Sequence, residues 1–278
     1  MRAIDAWVSV RVAGHAWQRQ VAGSYFKRTA DEVLRNYTVE EMVALMDPVG
    51  VDKAILGLNA ELPEKDILSF ATRYPDRFAF AAYIDPRRGL KALRALEGLA
   101  KNQPVVSVRL MPCVIDAAPN DRIYYPLYAK AVELGLPVAV TTGIPGPPLP
   151  GRCQDPMHLD DVCFFFPELT LIMANGADPW WAVAIRLMLK YPNLFLMTSA
   201  CAPRYLPAEL LHFMRTRGEE KILFATDFPF LTMDRCLKEA AELDLPEGVL
   251  DKFLYANASR VFWRSKDGES APTAGTSP

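Results

Sequence analysis

A chain of 278 residues with a net charge of −2 and 51% hydrophobic residues has the composition of an ordinary globular protein. That charge balance gives no reason to expect nucleic acid or an anionic membrane as a partner. Five scattered cysteines without a CxxC pair read as reduced thiols in a cytoplasmic protein. No apolar run reaches the roughly 18 residues of a membrane span, and the N-terminus has no signal-peptide pattern.

Along the chain, apolar strand-like runs recur as AIDAWVSV, KAILGLN, FAFAAYID, VVSVRLM, PVAVTTG, LTLIMANG, LFLMTSA and KILFATD. Helical stretches follow each. Thr38 with Glu41 predicts a capping box for VEEMVALMD. PEKDILSFATRYP is expected to begin with Pro63 at its first helical position and to stop before Pro75. RRGLKALRALEGLAKN places Leu90, Leu93 and Leu96 on one face. Gly135, Pro167, Pro192 and Gly218 punctuate the following helices, and PEGVLDKFLYANASRVFW closes the pattern.

Short strands buried on both faces and separated by helices argue for parallel pairing. Eight such units predict an α/β fold, a single (β/α)8 barrel over residues 1–264 with a long first βα loop at 11–37. A doubly wound open sheet is the rival, but no G-x-G-x-x-G follows the first strand. Residues 265–278, SKDGESAPTAGTSP, read as a disordered tail.

Barrel chemistry sits at the C-terminal strand ends. The polar residues there are Asp5, Trp7, Ser9, Asn59, Asp85, Arg109, Thr141, Thr142, Asn175, Asp178, Thr198, Ser199, Thr226 and Asp227. A strict period of two puts Asp5, Trp7 and Ser9 on the same side of the first strand. So many polar strand ends predict a polar pocket.

The stretches AID, PVVSVRLMP, YYPLYAKAVELGLPVAVTTG, HLDDVCFFFPELTLIMANGADPW, YPNLFLMTSACAP, KILFATDFPF and NASRVF together resemble the amidohydrolase-related barrels. The branch is that of aminocarboxymuconate-semialdehyde and hydroxybenzoate decarboxylases. The resemblance implies a metal held by Asp-x-His-x-His on the first strand, by histidines near the fifth and sixth strands, and by an eighth-strand aspartate. Here those positions hold Trp7, Ser9, Thr141 and Asn175, and the aspartate remains as Asp227. Zinc needs about three nitrogen, sulfur or carboxylate ligands, and an indole cannot ligate. No metal and no cofactor are therefore expected, although Asp5, Asp85 and Asp227 leave a hard oxygen-bound ion such as Mg²⁺ as an alternative.

On this reading Asp227 and His158 are the catalytic candidates. Asp227 would be an acid or base with its pKa raised by burial; the alternative is a structural carboxylate in the eighth βα turn. His158 lies at a helix start that disfavours the imidazolium, and local hydrogen bonding is its alternative. Arg109 would anchor a substrate carboxylate, as the resemblance implies, or else form a buried salt bridge to Asp5 or Asp85. Trp7, Asp5, Thr141, Asn175, Ser199 and His15 are candidate substrate-binding residues, with His15 in the first loop and surface exposure as its alternative. His212 reads as structural, and Trp180 and Trp181 as packing. Cys201 has no histidine paired with it.

The expected function is metal-independent lyase or hydrolase chemistry on a small aromatic or unsaturated carboxylic or keto acid. Decarboxylation, C–C cleavage, isomerisation and cyclisation fit, since none needs a metal-bound hydroxide. The rivals are a non-catalytic barrel that binds a ligand or supports another subunit, and a metal-dependent hydrolase with an atypical ligand set. The resemblance also implies a homodimer.

Overall fold

The computed structural model describes residues 1–12 and 16–263. His15, the tail at 265–278 and Arg264 lie outside the described residues. The eight predicted strands are all present: β1 (Ala3–Val8), β2 (Val51–Asn59), β3 (Phe78–Tyr83), β4 (Val105–Leu110), β5 (Val138–Thr141), β6 (Leu171–Ala174), β7 (Leu194–Met197) and β8 (Ile222–Leu223). They pair in chain order, every pair parallel. The strand β8 is short, and backbone hydrogen bonds carry the seam back to β1. Ala6 N–H donates to Phe224 O (3.3 Å), Asp227 N–H to Trp7 O (3.1 Å) and Ser9 N–H to Phe228 O (2.8 Å). The expected α/β barrel is the fold observed.

Local chemistry explains the elements that follow the strands. Thr38 and Glu41 form the predicted capping box for the helix Val39–Met46, and Thr29 with Glu32 forms a second one inside the first loop. The helix after β2 runs Lys65–Arg73 with Glu64 as its N-cap, so Pro63 precedes it rather than opening it. In the helix Leu90–Asn102 the buried face is Ala92, Leu96 and Leu99. Leu90, expected on that face, is exposed, because the chain enters the helix from a turn at Gly89 that holds its first residue clear of the barrel.

Two apolar layers result. The larger cluster fills the space between strands and helices. The smaller one fills the barrel interior with Ile4, Ile55, Ala81, Ala139, Ile172, Ala174, Phe195, Met197, Leu223 and Ala225. Ala258, Val261 and Phe262 of the last helix join it. They cover the N-terminal end, where Asn257 Nδ2 donates to Ile222 O (2.9 Å) at the start of β8. Small interior residues such as Ala81, Ala139 and Ala174 leave room higher in the barrel for large polar and aromatic side chains. Among the described residues no helix is long and apolar enough to cross a membrane.

Candidate active site

A cavity of about 390 Å³ opens at the C-terminal end of the barrel. Trp7 and Ser9 enter it from β1, Tyr83 from β3, Thr141 from β5, Asn175 from beyond β6 and Asp227 from beyond β8. The first βα loop supplies a wall through Val21, Tyr25 and Phe26, and Phe26 packs against Phe230 with ring centroids 5.2 Å apart. The long first βα loop thus forms part of the cavity wall.

Asp227 is half-buried and lines this cavity. Burial pushes its pKa up to about 8; Arg109 opposes the rise, the Asp5 charge adds to it, and a hydrogen bond from the Trp7 side chain offsets part of it. Its backbone has φ of +68°, a left-handed conformation uncommon for non-glycine residues, among which Asp and Asn adopt it most readily. The restraints on its neighbours are visible: Asp227 N–H donates to Trp7 O, and Thr226 is tied to Asp5.

Asn175 also has positive φ, +66°. Its N–H donates to Ser199 Oγ (2.9 Å), and that hydroxyl donates to Asn175 Oδ1 (2.7 Å). The two bonds fix the amide and leave Nδ2 as the donor for the cavity. Thr141 Oγ1 donates to Gln154 Oε1 (2.8 Å), and Gln154 Nε2 donates to Gly143 O (2.8 Å). The Thr141 hydroxyl therefore keeps its lone pairs for a ligand.

The candidates divide. Asp227, Trp7, Thr141 and Asn175 line one cavity. Ser199 is buried behind Asn175 and orients it. Asp5 does not reach the cavity: the register of β1 against β2 shifts between Asp5 and Val8, which breaks the period of two. Its oxygens accept from Thr226 N–H (3.0 Å) and Thr226 Oγ1 (2.5 Å) across the barrel seam. Desolvation raises its pKa to about 6 despite those bonds.

Arg109 does not line the cavity either, and it makes neither of the salt bridges expected for it. It is 1% exposed, with its guanidinium donating to Ile55 O (2.9 Å) and more loosely to Ala6 O, Val8 O and Tyr83 Oη. Its Cζ lies 4.0 Å from the centroid of the Trp7 ring. Asp85 instead caps its own turn, accepting from Arg87 N–H at 3.0 Å, and Asn59 accepts from the backbone N–H of Glu61 and Leu62.

His158 stands outside the cavity lining; its Nε2–H donates to Arg152 O (3.1 Å). His212 is exposed on the helix Ala208–Thr216. Cys113 and Cys201 line the cavity, but burial lifts both thiols to about 11, which leaves neither a ready thiolate.

Several lining residues escaped the sequence reading. Tyr83 precedes Asp85 by two positions on β3, and its aromatic character signalled packing rather than a site. Gln154 lies in a loop with no periodicity to assign it a direction. Arg11 lines the rim, with its guanidinium held by Glu64 (3.3 Å) and Asp66 (2.8 Å). Its place on the β1 ladder after Trp7 and Ser9 was the available signal.

Barrels that hold a divalent ion at this end need nitrogen, sulfur or carboxylate donors. The cavity lining offers the Trp7 indole, a hydroxyl from Thr141, an amide from Asn175 and two carboxyls, Asp227 and Asp178, of which Asp178 Oδ1 accepts from the Trp181 indole N–H (3.3 Å). Among the described residues, no three His, Cys, Asp or Glu side chains are grouped to hold an ion. This donor set does not fit a zinc-type centre.

Three comparisons place the chain. No curated protein matches it in sequence. An uncharacterized TIM-barrel protein from Bordetella bronchiseptica superposes with a TM-score of 0.78 at 22% identity, covering 95% of this chain and 99% of that one. The 5-carboxyvanillate decarboxylase of Sphingomonas paucimobilis gives 0.72 at 17%, with coverage of 94% and 99%. The 2,6-dihydroxybenzoate decarboxylase of Rhizobium gives 0.70 at 19%, with coverage of 95% and 99%. At these identities the likeness is one of fold. The family model described as Amidohydrolase matches residues 15–264, a span that begins after β1 and takes in the rest of the barrel. The chain is a member of the amidohydrolase family.

Proposed function

We propose that the protein is a metal-independent lyase that decarboxylates a small aromatic or unsaturated carboxylic acid. One observation carries the reading: the Asp227 carboxyl lines the cavity, where burial raises its pKa to about 8 and so favours the protonated form at neutral pH. A neutral carboxyl does not repel a carboxylate substrate, and it has a proton to give.

The half-buried Tyr83 ring would receive the substrate ring, with Asn175 Nδ2 donating to a substrate oxygen. Asp227 would protonate the carbon that bears the carboxylate. The carbon–carbon bond then breaks, its electron pair returns to the unsaturated system, and carbon dioxide leaves. Asp227 remains as a carboxylate until solvent reprotonates it. No step needs an activated hydroxide, so the chemistry suits the donor set. Decarboxylases of aromatic acids among the structures of the same fold support the substrate class. The homodimer expected from the sequence belongs to the same proposal.

The test is a decarboxylation screen of hydroxybenzoates and unsaturated acids with protein dialysed against dipicolinate, beside D227N. Turnover that survives chelation and falls by about 10²–10⁴ in D227N supports the reading. Turnover that disappears on chelation and returns with zinc or manganese, or that persists undiminished in D227N, overturns it.

A further inference from the structure

We infer that the acid taken by this cavity carries a second, uncharged apolar group, about one aromatic ring in size, held at the mouth by Phe26, Phe230 and Ile144. The inference rests on the carboxylic-acid reading above and narrows its substrate class.

The cavity is divided by height. Its polar side chains Thr141, Asn175 and Asp227 stand on or just beyond strand ends, the deep end of the site. The βα loops rise above them, and their share of the lining is mostly apolar. Val21, Tyr25 and Phe26 come from the first loop, Val114 from the fourth, Ile144 from the fifth and Phe230 from the eighth. Thr141 is 2% exposed, whereas Tyr25, Ile144 and Val114 are 59%, 58% and 49% exposed. Large apolar side chains from three loops, left in water around one opening, form a patch that a ligand can cover.

This collar is already assembled. Phe26 and Phe230 pack against each other, and beside them Arg28 Nη1 donates to Pro229 O (2.6 Å), which pins the first loop to the eighth. The first loop also meets the fifth, since a Cβ on Gly146 would stand 3.5 Å from Val21 Cγ1. A preformed subsite can seat a ring without first ordering its loops. There is room for one: a cavity of about 150 Å³ accepts benzene, and this one measures about 390 Å³.

Charge sets the character of the outer group. Besides Asp227, the charged lining residues among the described residues are Arg11 and Asp178. Arg11 is bonded to both Glu64 and Asp66, and Asp178 is exposed, so the mouth is negative on balance. A second carboxylate there would be repelled.

The experiment is titration calorimetry at pH 7 with benzoate, 3- and 4-phenylbenzoate and biphenyl-4,4′-dicarboxylate, on wild type, F26A, F230A, I144S and L90S. In wild type the better phenylbenzoate should bind about tenfold or more tightly than benzoate, the gain from removing one ring from water. The dicarboxylate should lose that gain. F26A, F230A and I144S should each cut the ratio of phenylbenzoate to benzoate affinity by about threefold or more. L90S removes an exposed leucine outside the lining and should leave the ratio unchanged. Ile144 already stands in solvent, so I144S keeps the test decisive if F26A or F230A does not fold. Wild type that binds phenylbenzoate no better than benzoate, or binds neither, overturns the inference. So does a ratio unchanged in I144S and in the folded phenylalanine variants, or a gain that persists in the dicarboxylate. A gain that disappears as protein concentration rises also overturns it, and assigns the collar to a second copy of the chain. Because these readouts are equilibrium affinities, selectivity without release of carbon dioxide would sink the decarboxylase reading and leave this one standing. Turnover of hydroxybenzoates without any phenylbenzoate preference would do the reverse.

Discussion

Ser199 Oγ is bonded twice to one residue: it accepts the backbone N–H of Asn175 at 2.9 Å and donates to the Oδ1 of the same side chain at 2.7 Å. The pair joins the ends of β6 and β7 and holds a non-glycine residue at φ +66°. Replacing Ser199 by alanine removes both bonds and leaves the Asn175 amide free to rotate. We expect a loss of about 1–3 kcal/mol in stability, read by urea unfolding. Under the proposed reaction KM should rise more than kcat falls, whereas a purely structural serine would leave KM unchanged in the folded variant.

Asp227 makes stability depend on pH with a definite sign. Its folded pKa of about 8 lies well above the ordinary carboxylate value, so the folded state holds a proton that the unfolded state has released. Its contribution is complete below about pH 4 and is lost as the pH rises through 8. Asp5, raised to about 6, acts in the same direction over a narrower window. D227N should flatten the curve, and at pH 8 its melting temperature should exceed that of wild type by a few degrees. A D227N curve parallel to wild type between pH 5 and 8 would contradict the raised pKa.

The same group sets a pH limit on activity. If Asp227 delivers the proton, kcat/KM should be level through neutrality and should fall tenfold per pH unit above about 8. A rate that rises through pH 8 would identify the carboxylate as the active form.

Thr226 satisfies Asp5 at the seam of the barrel, through its N–H at 3.0 Å and its hydroxyl at 2.5 Å. Thr226→Val keeps the shape and removes the hydroxyl donor. A buried carboxyl that loses one of its donors costs about 1–3 kcal/mol. The loss should be greatest above pH 6, where Asp5 is ionised, and calorimetric melts at pH 5 and 7.5 would show the difference.

Cys201 and Cys113 offer a probe of the cavity. With their pKa values near 11, iodoacetamide at pH 7.5 should modify both far more slowly than a free thiol at its ordinary pKa near 8.5. Benzoate in the cavity should slow Cys201 further, as peptide mass analysis of the alkylated protein would report. Rapid labelling at pH 7.5 would mean that the thiols are not buried as described.

The linear order of residues determined the eight strands, the parallel barrel and the capping box at Thr38, because these depend on apolar runs and on contacts three residues apart. It also brought Trp7, Thr141, Asn175 and Asp227 to the correct end, since a strand end in this fold is a fixed address. Which of those ends share a cavity was decided only in three dimensions. Asp5 left the site because one register shift in β1 breaks the alternation. Arg109 went under the floor rather than onto it because Gly57, distant in sequence, leaves it space and Trp7 covers it. A raised pKa for Asp227 is expected from its strand-end position, but the opposing effects of Arg109 and Asp5 come from other strands, and such long-range Coulomb effects leave no trace in a local pattern.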